Sequence, residues 1–180
     1  MKNPILVVSL VLLLCFVFGC QNKAEKAELE KFRAQAKLEE QNKAFMRKVG
    51  EEMNKGNIEI LSEANGPNYA YYFPSANPKS ISSDELIGLI KTLKAGIPDL
   101  IWNIGEQVAE GDIVVSRGIM KGTHTATFQG IPATGKEFEL SVINWVRIKD
   151  GRIVEEREDA DIAGLMQQLG FELKPMEVKK

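Results

Sequence analysis

The chain has 180 residues, with 23 basic and 25 acidic side chains and a formal net charge of −2. That mildly acidic balance provides no electrostatic footprint for nucleic acid. One histidine excludes a multi-histidine metal site, and two cysteines exclude a framework of several disulfides.

The first residues read as an export signal. Met1-Lys2-Asn3 is a short positive start, Ile5 to Phe18 is an apolar run broken by Ser9, and Gly19-Cys20 precedes a polar stretch. This order of charge, apolar centre and small residue is that of a secretory signal. The run is shorter than the roughly 18 to 20 residues of a spanning helix. Val17-Phe18-Gly19-Cys20 resembles a bacterial lipobox, which implies cleavage after Gly19 and lipidation of Cys20. The expected address is an exported membrane lipoprotein, on the periplasmic or cell-surface side. Loss of residues 1–19 removes Lys2 alone among the charges, leaving 22 basic residues against 25 acidic ones.

Residues 20–41 are rich in Ala, Glu, Lys and Gln, with apolar positions only at Leu29, Phe32 and Leu38. They read as a charged helical stalk or as a flexible linker. From Ala44 onward Phe45, Met46, Val49 and Met53 recur at helical spacing, marking a helix packed on a core that stops at Gly56. Asn57 is placed to cap a short second helix over 58–63. Tyr69 to Phe73 predicts a short strand. Ser83-Asp84-Glu85 opens a helix running to Gly96. Four strands follow, over 100–108, 113–125, 136–148 and 152–160. Asp150-Gly151 between the last two is a strong two-residue hairpin signal. A final helix over 162–169 precedes a tail, 173–180.

Helices set to one side of an antiparallel meander give an α+β class, here a curved sheet wrapped over helices as a cone. The domain is expected over residues 42–172. If the Asp150-Gly151 hairpin continues without interruption, Val146 faces Glu155, Asn144 faces Arg157 and Val142 faces Asp159. Strand alternation then puts Asn144, Arg157, Asp159 and Asp161 on the inner face at a pocket. It leaves Ile143, Trp145, Val154, Glu156 and Glu158 outside, and the apolar part of that outer face suggests a homodimer. His124 falls at the end of a strand near a possible pocket mouth, where a surface position is slightly favoured. Tyr71, Tyr72 and Trp102 read as core residues first, with Tyr72 and Trp102 as candidates for ligand stacking.

Three stretches carry a family resemblance: Asn42 to Pro74, the string PDLIWNIGEQVAEGDIVVSRGIMKGTHTATFQGIPATGK from Pro98, and DGRIVEEREDADIAGLMQQLG from Asp150. They resemble the SnoaL-like polyketide cyclases, or ester cyclases, of the nuclear transport factor 2-like (cystatin-like) superfamily. The resemblance implies an intramolecular aldol closure without metal or organic cofactor, with an Asp as general acid/base. The position matching the family's Asp-x-x-Gly-Leu pattern is Asp161. Where the family often has His and Trp, this chain has Glu156 and Arg157.

Two functions stay open. One is cofactor-independent acid/base chemistry on a small apolar carbonyl compound. The other is a non-catalytic small-ligand-binding or scaffold lipoprotein of the same fold. The lipid address has its own test: labelled fatty acid fed to producing cells is expected to enter the protein and to vanish in Cys20→Ser. Release of unlabelled soluble wild-type protein contradicts it.

Overall fold

The structure is a computed structural model that describes residues 4–172, with side chains from residue 23 onward. The side chains of the expected signal segment, Cys20 among them, and the tail 173–180 lie outside the described residues. The elements in chain order are α1 (Pro4–Asn54), α2 (Ile60–Ala64), β1 (Asn65–Tyr72), α3 (Ser83–Gly96), β2 (Ile101–Glu110), β3 (Ile113–Thr123), β4 (Glu137–Lys149), β5 (Arg152–Ala160) and α4 (Ile162–Gln168). The five strands form one open sheet in the order β1-β5-β4-β3-β2. β1 runs parallel to β5, and all other neighbours are antiparallel. The expected α+β class with a curved sheet is what the chain adopts.

Two compact units divide the chain, residues 1–38 and 39–180. In the first, Leu29, Phe32 and Leu38 are exposed. In the second, the last turns of α1 are amphipathic and bury Met46, Val49 and Met53 against the inner face of the sheet at Val114, Val146 and Ile153. Close approach is possible because residue 50 is glycine: a Cβ there would lie 2.9 Å from Cδ1 of Ile104. Asn54 closes the helix by bonding the backbone of β2 in both directions. Its Nδ2 donates to the Trp102 carbonyl at 2.9 Å, and its Oδ1 accepts from the Trp102 N–H at 2.8 Å.

α3 begins where Ser82 and Glu85 form a capping box, each side chain bonding the other's backbone N–H. Its buried face, Leu86, Ile87 and Ile90, completes the main core. A second cluster, centred on Leu100, Phe138 and Leu140, joins the far end of the sheet to Leu169. The short second helix corrects an expectation. It starts at Ile60 with Glu59 at the cap position and no side-chain cap bond, while Asn57 donates to Glu52 Oε2 at 3.3 Å.

Tertiary contact reaches the helix at Glu39, whose Oε1 accepts the Gly111 N–H at 2.9 Å, and at Asn42, which is buried. A chain starting at Glu39 is therefore expected to melt within about 4 °C of one starting at Gln21, as followed by circular dichroism. A much larger loss contradicts this placement of the domain's edge.

Candidate active site

The hairpin between β4 and β5 decides which side chains meet inside the sheet. Asp150 and Gly151 both take positive φ, 50° and 72°, as a two-residue primed turn requires. Lys149 faces Arg152 and Ile148 faces Ile153, as expected from the turn. The register then shifts, and Arg147 pairs with Glu155, Val146 with Glu156, Asn144 with Glu158 and Ile143 with Asp159. Val154 is the extra residue of a β-bulge. One inserted residue reverses the facing of everything after it.

The expected inward set is corrected accordingly. Glu156 and Glu158 face inward beside Asn144, and Arg157 and Asp159 face outward. The physical reason is the asymmetry between the charges. A guanidinium stays protonated wherever it is placed, whereas a buried carboxylate can take up a proton and lose its charge. Outside, Arg157 meets good partners. Its Nε donates to Glu155 Oε1 at 2.7 Å, its Nη1 donates to the Ser75 carbonyl at 2.8 Å, and its Cζ lies 4.1 Å from the centre of the Tyr72 ring. Asp159 accepts from the Ser75 hydroxyl and from the Ser75 N–H at 2.9 Å, bonds that hold its carboxyl below the usual range. Tyr72, Arg157 and Asp159 thus tie down the loop after β1.

Asp161 is exposed and serves a different purpose from a pocket carboxylate. Its side chain accepts the Gly164 N–H at 2.9 Å as the N-cap of α4. His124 is buried, at 2 % exposure, rather than on the surface. Its Nδ1 lies 3.3 Å from Thr134 Oγ1 in the loop between β3 and β4, and it is not among the residues lining the cavity. Of the sequence-predicted pocket residues, the structure brings Asn144 and Trp102 to the cavity.

That cavity has a volume of about 170 Å³ and lies between α1, α3 and the inner face of the sheet. Its walls are largely apolar, with Met46, Val49, Ile90 and Trp102 among them, and its polar end holds Tyr71, Asn144, Glu156 and Glu158. β1 supplies the tyrosines: Tyr71 pairs with Glu156 across the parallel ladder, and Tyr69 shares its inward facing.

The two carboxylates are not equivalent. Glu156 accepts a short bond from the Tyr69 hydroxyl, and Asn144 Nδ2 donates to its Oε1 at 2.6 Å. Glu158 receives longer bonds, from the Tyr71 hydroxyl at 3.2 Å and from Asn144 Nδ2 at 3.3 Å. Burial pushes Glu156 up from the ordinary carboxylate range, against the lowering effect of Tyr69 and Asn144. Glu158 is pushed up to about 7, by burial first and then by the charge of Glu156. Both tyrosine hydroxyls are raised far above their ordinary value, by burial and then by the facing carboxylates, and so remain protonated donors. The arrangement is a pair of buried carboxylates, both raised, in which Glu156 has the closer donors and Glu158 is the one pushed up to about 7.

The folded state holds the Glu158 proton more tightly than the unfolded chain does. Stability is therefore expected to fall as pH rises from the carboxylate range through about 7. The loss should be on the order of 3 kcal/mol by about pH 8. Glu158→Gln makes that slope shallower, leaving the part due to Glu156, which chemical denaturation at two pH values measures. An equal slope in wild type and variant contradicts the assignment.

A profile described as SnoaL-like polyketide cyclase matches residues 43–169. Two curated relatives share a shorter stretch. Aklanonic acid methyl ester cyclase DnrD of Streptomyces peucetius is 35% identical over 65 residues, 36% of this chain and 45% of the relative. DauD of Streptomyces sp. (strain C5), of the same description, is 37% identical over 60 residues, 33% of this chain and 37% of the relative. The matched stretches thus span less than half of either relative. Among solved structures, wild-type IdmH of Streptomyces antibioticus, a candidate polyketide cyclase, superposes with a TM-score of 0.66 at 29% identity, covering 73% of this chain and 99% of IdmH. TsrD of Streptomyces laurentii follows with a TM-score of 0.62 at 26% identity, covering 71% and 93%. With the profile spanning most of the chain and the same fold in these neighbours, the chain belongs to the SnoaL-like polyketide cyclase family.

Proposed function

We propose that this protein is a cofactor-independent acid/base enzyme of the ester-cyclase type, working on a small apolar carbonyl compound. The observation that carries the reading is the buried Glu156–Asn144–Glu158 bridge in the wall of a largely apolar cavity, with Glu158 pushed up to about 7. A general base is most effective when its pKa lies near the working pH.

In this reading Glu158, once ionised, takes a proton from the carbon beside a carbonyl. The enolate carbon then attacks a second carbonyl carbon of the same molecule and forms a carbon–carbon bond. The electron pair of that carbonyl moves to its oxygen, which receives the proton back from Glu158. Substrate and product are isomers, so no other reactant is required. Once Glu158 has taken the proton its demand for donors falls, which frees the Tyr71 hydroxyl and one Asn144 N–H to bond the developing negative oxygen. Glu156 does not touch the reacting carbon; its charge adds to burial in raising the pKa of Glu158.

A second reading, ligand binding without turnover, is favoured by one observation. Asp161, at the position matching the family's Asp, is engaged in capping α4. Two further parts of the proposal concern assembly. Cys20 carries the lipid anchor, and two copies pair through the outer sheet face, where Val108 and Ile143 are exposed beside Trp145.

The test is exchange of α-hydrogens of a short methyl diketone in deuterated water, together with ring closure of the same compound. The rate is expected to rise with pH through about 7. Glu158→Gln should lose about two to four decades. Glu156→Gln should keep activity and move the rising limb to lower pH, because a neighbouring negative charge has gone. Undiminished exchange in Glu158→Gln contradicts the catalytic reading, and binding without exchange in the wild type supports the second one.

A further inference from the structure

The charge and size of the cavity narrow what it can hold. Its lining contains two glutamates and no lysine, arginine or histidine. The cations near these strands are engaged elsewhere: Arg157 with Glu155 and Ser75, and Arg147 with Asp112 and Glu155, on the outer side of the sheet, while Lys94, over the Trp102 ring, donates to the Leu100 carbonyl at 3.0 Å and is not among the lining residues. No positive group is therefore available inside to receive an anionic ligand. A ligand carboxylate would sit beside Glu156 in a low-dielectric pocket, where like charges repel strongly.

Volume sets the second limit. A closed apolar cavity of roughly 150 Å³ is known to accept a benzene-sized guest. The pocket here encloses about 170 Å³ and is open on one side, so it covers one six-membered ring carrying a small substituent and leaves a second fused ring in water. Tyr71, Asn144, Glu156 and Glu158 are joined by hydrogen bonds into one polar cluster in a largely apolar lining, so a bound compound is recognised through one oxygen-bearing end and is otherwise mostly apolar.

We infer that the ligand is a neutral, single-ring-sized carbonyl compound, oriented with its oxygen toward Glu158 and Asn144, and that carboxylates are excluded. This rests on the acid/base reading for the orientation, but its charge and size limits follow from the lining alone.

Three probes separate the possibilities by ligand-observed NMR and thermal melting at about pH 8: cyclohexanone, cyclohexanecarboxylate and 2-acetonaphthone. Cyclohexanone is expected to bind, and cyclohexanecarboxylate to bind on the order of a hundredfold more weakly. The two-ring ketone should bind more weakly than the one-ring ketone. In the double variant Glu156→Gln, Glu158→Gln the carboxylate should gain most of that lost affinity. Should the double variant fail to fold, the single variant Glu158→Gln at about pH 8 gives the comparison with the probe still ionised, because one of the two charges that repel the anion has gone; carboxylate affinity unchanged from wild type then overturns the charge limit. Carboxylate binding as tight as ketone binding at about pH 8 overturns the charge limit, and tighter binding of 2-acetonaphthone overturns the size limit. Binding is scored without turnover. Selective ketone binding with no proton exchange therefore sinks the enzyme reading alone, while exchange on a tightly bound carboxylate substrate sinks this inference alone.

Discussion

A single extra residue in β5, Val154, determines what the cavity contains. With continuous pairing after Asp150-Gly151, the inner face would present Arg157 and Asp159 to the apolar groups of α1 and α3. With the bulge, it presents Glu156 and Glu158 and sends Arg157 to the rim of β1. The energetic case for the second arrangement is the discharge available to a carboxylate. A guanidinium cannot give up its charge, so its burial requires a full set of partners. A glutamate can be buried as the neutral acid, at the cost of a raised pKa. The bulge and the pKa of Glu158 are two faces of the same constraint.

The outer and inner networks are built by alternate residues of one strand. On the outside, Glu155 joins Arg147 to Arg157, Arg147 lies over the Trp145 ring, and Arg157 lies over the Tyr72 ring. On the inside, Asn144 spans the two carboxylates while β1 delivers a tyrosine hydroxyl to each. Such a pair is not there for stability, because two acidic groups in an apolar setting oppose folding wherever both ionise. Strain of this kind collects at functional sites. The other carboxylates of the strand show the contrast: Asp159, bonded to Ser75, is held low, and Glu155 is paired with two arginines.

Much of the fold was legible from residue pattern. β5 spans 152–160 as expected, because Asp-Gly marks its start and Asp161 its end. α3 follows from its acidic first turn and its apolar spacing. The inner face of β4 follows from the alternation of Leu140, Val142, Val146 and Ile148, all buried. The facing of β5 beyond the turn was not legible. Ile153 and Val154 are both apolar and the next five residues are all polar, so alternation carries no phase information there. The same ambiguity affects Tyr71 and Tyr72, adjacent aromatics of which only a known register tells the inner from the outer. β1 begins earlier than expected, at Asn65, because Asn-Gly-Pro-Asn has the composition of a turn. One signal was available and pointed elsewhere. Asp161 stands immediately before a helix, where an aspartate's ordinary task is to cap it.

The central claim is that Glu156 and Glu158, and not the outward residues of the strand, form a proton-sharing pair inside the cavity. Its most direct test is a titration of the glutamate side-chain carboxyl carbons by NMR, assigned through Glu156→Gln and Glu158→Gln. One inner resonance is expected to titrate near pH 7, displaced by substitution of its neighbour and unmoved by Arg157→Ala. Both groups titrating at about 4.3, the ordinary value for glutamate, would contradict it.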